Sequence, residues 1–213
     1  MKKALFFDLD GTLTESGVGV VNCVIPVLEY YGLPVPSRKE LEVFVGPPLD
    51  ETFLRFGVPE KEVTNAIARF RSRYLTLGKF ENAPYPGIPE LLEKLQSMGY
   101  PLYVATSKPE STAIEIMEKF DLIKYFTRVC GATMDGSRSH KKDVIAYLLK
   151  QIGTDTDAVM IGDTHYDVIG ASVFGIDTIG VVWGYGKVED MEKAGVKAIA
   201  HSMDELFKLL TEQ

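Results

Sequence analysis

Only two cysteines occur in 213 residues, Cys23 and Cys130, far apart and without the C-x-x-C spacing of a metal or redox pair. Each sits in an apolar stretch, so both read as buried free thiols in a reducing compartment rather than as a disulfide framework. There is no run of Lys and Arg, and 23 basic against 30 acidic residues give a formal charge of −7. That balance disfavours a nucleic-acid polymer or an anionic membrane as partner. An anionic ligand would have to be received locally, by a metal ion, backbone N–H groups or single cations. No apolar stretch approaches the length of a membrane span. Lys2 and Lys3 run straight into a strand and an acidic turn rather than into a signal peptide, so a cytoplasmic protein is expected. The three histidines, His140, His165 and His201, share no spacing that would make a zinc site. Internal repeats and low-complexity segments are absent as well.

What is present is the composition of an ordinary globular chain, 46% hydrophobic and 25% charged, long enough for one core with a smaller second unit. Residues 4–7 are a short apolar strand. Residues 16–80 then read as helices only, broken by Gly32 to Pro36 and by Gly46-Pro47-Pro48, with Ser37-Arg38-Lys39-Glu40 as a capping box. From Tyr85 onward apolar strand-like runs at 102–105, 128–130, 158–161 and 178–181 alternate with helical patterns, and Ser202 caps a last helix. Such alternation predicts a Rossmann-like α/β core with a parallel sheet, residues 1–15 and 81–213, and an inserted helical subdomain over 16–80.

Ligands of such sheets bind at the carboxyl ends of the strands, so the polar residues just past each strand carry the argument. After the first strand come Asp8-Leu9-Asp10-Gly11-Thr12, two carboxylates two residues apart in a turn that Gly11 makes tight. Two such acids call for a divalent cation or a basic partner; the alternative is an Asp-Gly turn with solvated carboxylates. Thr106-Ser107-Lys108 follow the second strand, and Gly162-Asp163-Thr164-His165-Tyr166-Asp167 follow the run at 158–161. Ser107-Lys108-Pro109-Glu110 also fits a capping box, with Ser107 as the cap.

Taken together these stretches resemble the haloacid dehalogenase superfamily of phosphohydrolases. Asp8 to Thr12 match its first motif, Thr106 the second, Lys141 the third in preference to the adjoining Lys142, and Gly162 to Asp167 the fourth. The resemblance spans essentially the whole chain, including a helical cap inserted after the first strand. It implies that Asp8 attacks phosphorus to form an aspartyl-phosphate while Asp10 acts as general acid and base. It implies Mg²⁺ held by Asp8, the backbone carbonyl of Asp10 and Asp163, with Asp167 acting from behind. Thr106 and Lys141 would grip the phosphoryl oxygens, with Gly11, Thr12 and Ser107 also at the substrate.

The substrate implied is a small phosphomonoester. Val104 to Pro109, Gly46 to Leu49 and Trp183-Gly184-Tyr185-Gly186 look like the 5′-nucleotidase-like or phosphoglycolate phosphatase-like branch. Gly46 to Leu49 equally fits a plain turn, and Tyr85 or Tyr185 offers an aromatic face for a base or sugar. The rival readings are a sugar-phosphate mutase, which shares nearly all these residues, and a non-catalytic phosphate-binding module. A monomer or homodimer is expected.

Overall fold

The computed structural model describes residues 2–212. The chain divides into two compact units, one of Met1–Thr14 with Pro84–Gln213 and the other of Glu15–Ala83.

The first unit is a six-stranded parallel sheet with helices. Its elements are β1 (Ala4–Phe7), α5 (Ile88–Ser97), β2 (Leu102–Pro109), α6 (Glu110–Lys119), β3 (Arg128–Ala132), α7 (Lys141–Ile152), β4 (Ala158–Gly162), α8 (His165–Ser172), β5 (Asp177–Val181), α9 (Val188–Lys193), β6 (Ala198–Ala200) and α10 (Met203–Thr211). The strand order is β3-β2-β1-β4-β5-β6. The chain leaves β1 towards one edge and returns on its other side at β4, so β1 and β4 flank the switch point where α/β sheets hold their ligands.

Strand alternation sorts the core onto two faces. Leu5 and Phe7, with Val104, Val159 and Ile161, pack on Leu92 and Leu95 of α5 and Leu206 of α10. Ala4 and Phe6, with Tyr103 and Met160, pack on Val144, Ile145 and Leu148 of α7. Both faces being covered, these strands are near-continuous apolar runs, and this is why their sequence pattern was plain.

The helical unit holds α1 (Gly17–Tyr30), α2 (Arg38–Leu41), α3 (Leu49–Arg55) and α4 (Val63–Tyr74). The Ser37 capping box forms as the sequence predicts. Phe44 and Phe53 lie 5.0 Å apart by ring centroid, and Phe70 stacks on Tyr74 at 5.1 Å, which gives the unit an aromatic core. Arg73 makes two 2.8 Å hydrogen bonds to the Glu81 carboxylate.

One local expectation is corrected. Ser107 is not a helix cap: β2 runs on to Pro109, which is itself the N-cap position of α6. The Glu110 side chain that a capping box would have used accepts instead from Gly131 N at 3.1 Å and Arg138 Nη2 at 3.0 Å. A long-range donor pair has outcompeted the local one. The sequence reading also passed over β6 and α9, a three-residue strand and a six-residue helix with too few positions to show a period.

Candidate active site

Asp8 continues the line of β1, its N–H donating to Ile161 O at 2.9 Å, so the carboxylate is carried to the sheet rim on the switch-point strand. Its Oδ1 accepts from Leu9 N at 2.7 Å and lies 2.9 Å from Lys141 Nζ. The next residues close a tight turn, with Gly11 N donating to Thr14 O at 2.8 Å and Gly11 at φ +82°. An L side chain is strained at that φ, and a Cβ there would come within 2.2 Å of Asp163 Oδ2.

Asp163 follows β4, fully buried. Its Oδ2 accepts from Tyr185 N at 2.8 Å, and Thr12 Oγ1 lies 3.4 Å from its Oδ1. The Trp183 to Gly186 loop is therefore part of the site's wall: Trp183 Nε1 donates to Thr12 O at 3.1 Å, and a Cβ on Gly184 would meet Asp163 Oδ2 at 2.2 Å. That loop was singled out in the sequence as a possible substrate contact. In the structure Trp183 and Tyr185 hydrogen-bond to Thr12 and Asp163.

Lys141 opens α7 and is buried, whereas Lys142 is exposed. Its Nζ lies 2.8 Å from Asp167 Oδ1 and donates to Ala105 O at 2.9 Å, besides its contact with Asp8. Asp167 is held from the other side, its Oδ2 accepting from Thr164 N at 3.1 Å and Thr164 Oγ1 at 2.9 Å in a capping box. Room for the lysine stem comes from Gly170 of α8, where a Cβ would fall 2.7 Å from Lys141 Cβ.

Lys108 was missed by sequence reasoning. Its Nζ lies 2.8 Å from Asp10 Oδ2, with side chains 7% and 13% exposed, and its N–H donates to Thr106 Oγ1 at 3.2 Å. Asp10 Oδ1 is buried without a hydrogen-bond partner among the described residues. The signal that could have found Lys108 is charge balance: two acids at one strand end need more than one buried cation nearby. Ser107, half-buried, belongs to the same segment.

Burial pushes the Asp8 carboxyl up to about 6, against the pull of the Lys141 ammonium and with the help of the Asp167 charge. Burial also raises Asp163 well above the carboxylate range, reinforced by Asp167 and Asp8. For Lys141, burial acts downward, but the Asp167 and Asp8 carboxylates outweigh it and hold the ammonium above its usual value. Asp8, Asp163 and Asp167 each present a carboxylate oxygen within 4.8 Å of the others. Three buried acids against one ammonium leave an excess of two negative charges, so these residues fit a divalent cation.

A pH dependence follows. A carboxyl whose folded pKa is raised from 3.8 to about 6 contributes most below the unfolded value, and that contribution is lost as pH rises through 6. Metal-free protein should therefore lose about 4 °C of Tm from this source between pH 5 and 7, and a divalent cation should restore more at pH 7.5 than at pH 5. Thermal melts with and without Mg²⁺ check this; a cation effect equal at both pH values would contradict it.

Comparisons with known proteins agree with this geometry. The model of the haloacid dehalogenase-like hydrolase family matches residues 5–181. The chain is 40% identical over 189 residues to a 5′-nucleotidase of Pseudomonas aeruginosa, covering 88% of this chain and 86% of that protein. It is 40% identical over 209 residues to the tyrosine-protein kinase PtkA of Mycobacterium tuberculosis, covering 97% of this chain and 72% of that protein. Among solved structures, a predicted phosphatase from Clostridium acetobutylicum superposes with a TM-score of 0.94 at 40% identity over 100% of both chains. With a buried carboxylate just past its first strand, further buried acids beside it and these relatives in agreement, the chain belongs to the haloacid dehalogenase-like hydrolases and is a phosphatase.

Proposed function

We propose that the chain hydrolyses small phosphomonoesters with Mg²⁺, by way of an aspartyl-phosphate on Asp8. The observation that carries this reading is the Asp8 carboxylate at the switch-point rim, with Lys141 Nζ 2.9 Å from Oδ1 and a second carboxylate two residues on. A carboxylate oxygen of Asp8 attacks phosphorus; the ester oxygen leaves with a proton from Asp10. Asp10 then takes a proton from water, whose oxygen attacks the same phosphorus and frees Asp8. Lys108 fixes Oδ2 of Asp10, so the unpartnered Oδ1 is the atom offered to the ester oxygen. Thr106 and Lys141 steady the phosphoryl oxygens, and Asp167 orients Lys141. Asp8, the backbone carbonyl of Asp10 and Asp163 would hold Mg²⁺, which supplies the positive charge that lets an anionic phosphate come up to a carboxylate.

Of the two substrate classes implied by the sequence, nucleoside 5′-monophosphates have the support of the 5′-nucleotidase relative, with phosphoglycolate second. The likeness to a protein named a tyrosine-protein kinase favours one other reading, discharge of the Asp8 phosphoryl group to an acceptor other than water. A sugar-phosphate mutase would be a special case of it.

Phosphate release from nucleoside monophosphates, phosphoglycolate, sugar phosphates and an aryl phosphate tests both. Release in Mg²⁺ that falls at least about 100-fold in chelator is expected. Equal release in chelator would contradict the metal's part. Label that passes from substrate to a sugar or to protein without free phosphate would favour the second reading.

A further inference from the structure

β2 and β3 pair regularly up to Ala105 opposite Cys130 and resume at Pro109 opposite Ala132, so β2 spends four residues where β3 spends two. The intervening residues are Thr106, Ser107 and Lys108 on β2 against Gly131 alone on β3, and the β2 segment presents the phosphate-binding hydroxyl and the partner of Asp10. Opposite this bulge stands Gly131, where a Cβ would lie 2.6 Å from Lys108 O and 2.7 Å from Glu110 Cα. A bulge deprives the facing strand of its ladder partner, and buried backbone groups rarely go unpaired. Here two side chains take the vacant places. Glu110 Oε2 accepts the Gly131 N–H at 3.1 Å, and Arg138 Nε donates to Gly131 O at 2.7 Å. The two side chains also bond each other, Arg138 Nη2 to Glu110 Oε2 at 3.0 Å, with side chains 18% and 31% exposed.

Arg138 is at the same time the closing residue of the turn before Lys141. Its N–H donates to Thr133 Oγ1 at 3.0 Å, its carbonyl accepts from Thr133 N at 2.9 Å, and its guanidinium lies 3.8 Å from the Tyr147 ring centroid on α7. One end of the pair therefore fixes the bulge that carries Thr106, and the other fixes the loop and helix that deliver Lys141. The hydrogen bonds of both side chains go to Gly131 and to each other, away from Asp8, Asp10 and Asp163.

We propose that Glu110 and Arg138 are positioning residues that hold Thr106 and Lys141 in register around the phosphoryl group. This rests on the phosphatase reading of the site. Arg suits the task because its rigid fork sets one nitrogen, Nη2, on the carboxylate and another, Nε, on the backbone carbonyl, whereas Lys would have to serve both from a single nitrogen. Displacing a gripping group by a fraction of an ångström weakens binding and slows reaction without emptying the site.

The test uses Glu110→Gln, Arg138→Met, Arg138→Lys and the Glu110→Gln/Arg138→Met double variant of the full chain. The probe is inorganic phosphate, bound in the presence of Mg²⁺ and followed by calorimetry. Each single variant should weaken phosphate binding by about 10-fold, with kcat/KM on an aryl phosphate falling by a similar factor or more. The double variant should be weaker than the worse single by no more than about twofold, since the two act as one unit. Arg138→Lys should fail to restore affinity. Measured well below each variant's Tm, where nearly all of the protein is folded, the dissociation constant for phosphate is insensitive to lost stability, so a merely structural role would lower Tm and leave affinity within twofold of native. That outcome, or two single effects that multiply in the double variant, would overturn the proposal. Phosphate binding needs no turnover. Native protein that binds phosphate but hydrolyses no ester would therefore count against the hydrolase reading alone, while the variant series still decides on the pair.

Discussion

Asp8→Asn should abolish phosphate release, by about 10⁴-fold or more, because the proposed mechanism gives the bond to phosphorus to the Asp8 carboxylate. The same substitution should make the metal-free protein more stable at pH 8. Burial dominates the rise of the Asp8 pKa to about 6, so above that pH the ionised carboxylate costs the fold more than a neutral side chain would. Asparagine keeps an oxygen to accept from Leu9 N, which donates at 2.7 Å, and removes one of three adjacent negative charges. A gain of about 2 kcal/mol is expected, some 4 °C or more in Tm. Activity assay and thermal melt on one preparation check both halves. Lost activity with a lower Tm would mean that the variant fails by unfolding.

Lys141→Met acts in the opposite sense on stability. Its ammonium lies 2.9 Å from Asp8 and 2.8 Å from Asp167, and both acids are buried with it. Removing one partner of a buried ionic cluster leaves the others uncompensated, a loss of about 3–5 kcal/mol. Methionine fills the stem's place beside Gly170, so the packing loss is small by comparison. Tm should fall by roughly 10 °C at pH 8 and by less at pH 5, where Asp8 carries a proton and asks for no counter-charge. Turnover should fall about 10²–10³-fold even when the protein is fully folded, since the charge facing the phosphoryl group is gone. Melts at the two pH values, with Mg²⁺ assays below the variant's Tm, decide the matter; equal destabilisation at both would show that lost packing, rather than lost charge, is responsible.

The acids of this site were legible because a parallel sheet buried on both faces writes its strands as apolar runs, and Asp8 and Asp163 are the polar residues just past them, while Thr106 follows the apolar part of β2. Lys141 was reachable only through family resemblance, since nothing local separates it from Lys142; burial beside Gly170 does so in the structure. Lys108 could not be read because its meaning depends on a bulge, and a bulge is a property of the register between β2 and β3 rather than of either segment. For the same reason Ser107 looked like a helix cap: the four-residue window does not contain Gly131 or Arg138, the donors that draw Glu110 away. Gly184 stood in the sequence only as part of a segment that resembles the family branch. Its absence of a side chain is instead a matter of room, with Asp163 pressed against it. Strand ends are coded locally, whereas the pairs that tune them join residues 20 to 170 positions apart.

The most direct measurement is acid quench of the native chain turning over a ³²P-labelled phosphomonoester in Mg²⁺, followed by digestion and mapping of the label. The mechanism predicts a burst of label on the peptide that contains Asp8, absent in Asp8→Asn and lost in chelator. Steady release of labelled phosphate with no label on that peptide at any time, or label on another residue, would contradict it.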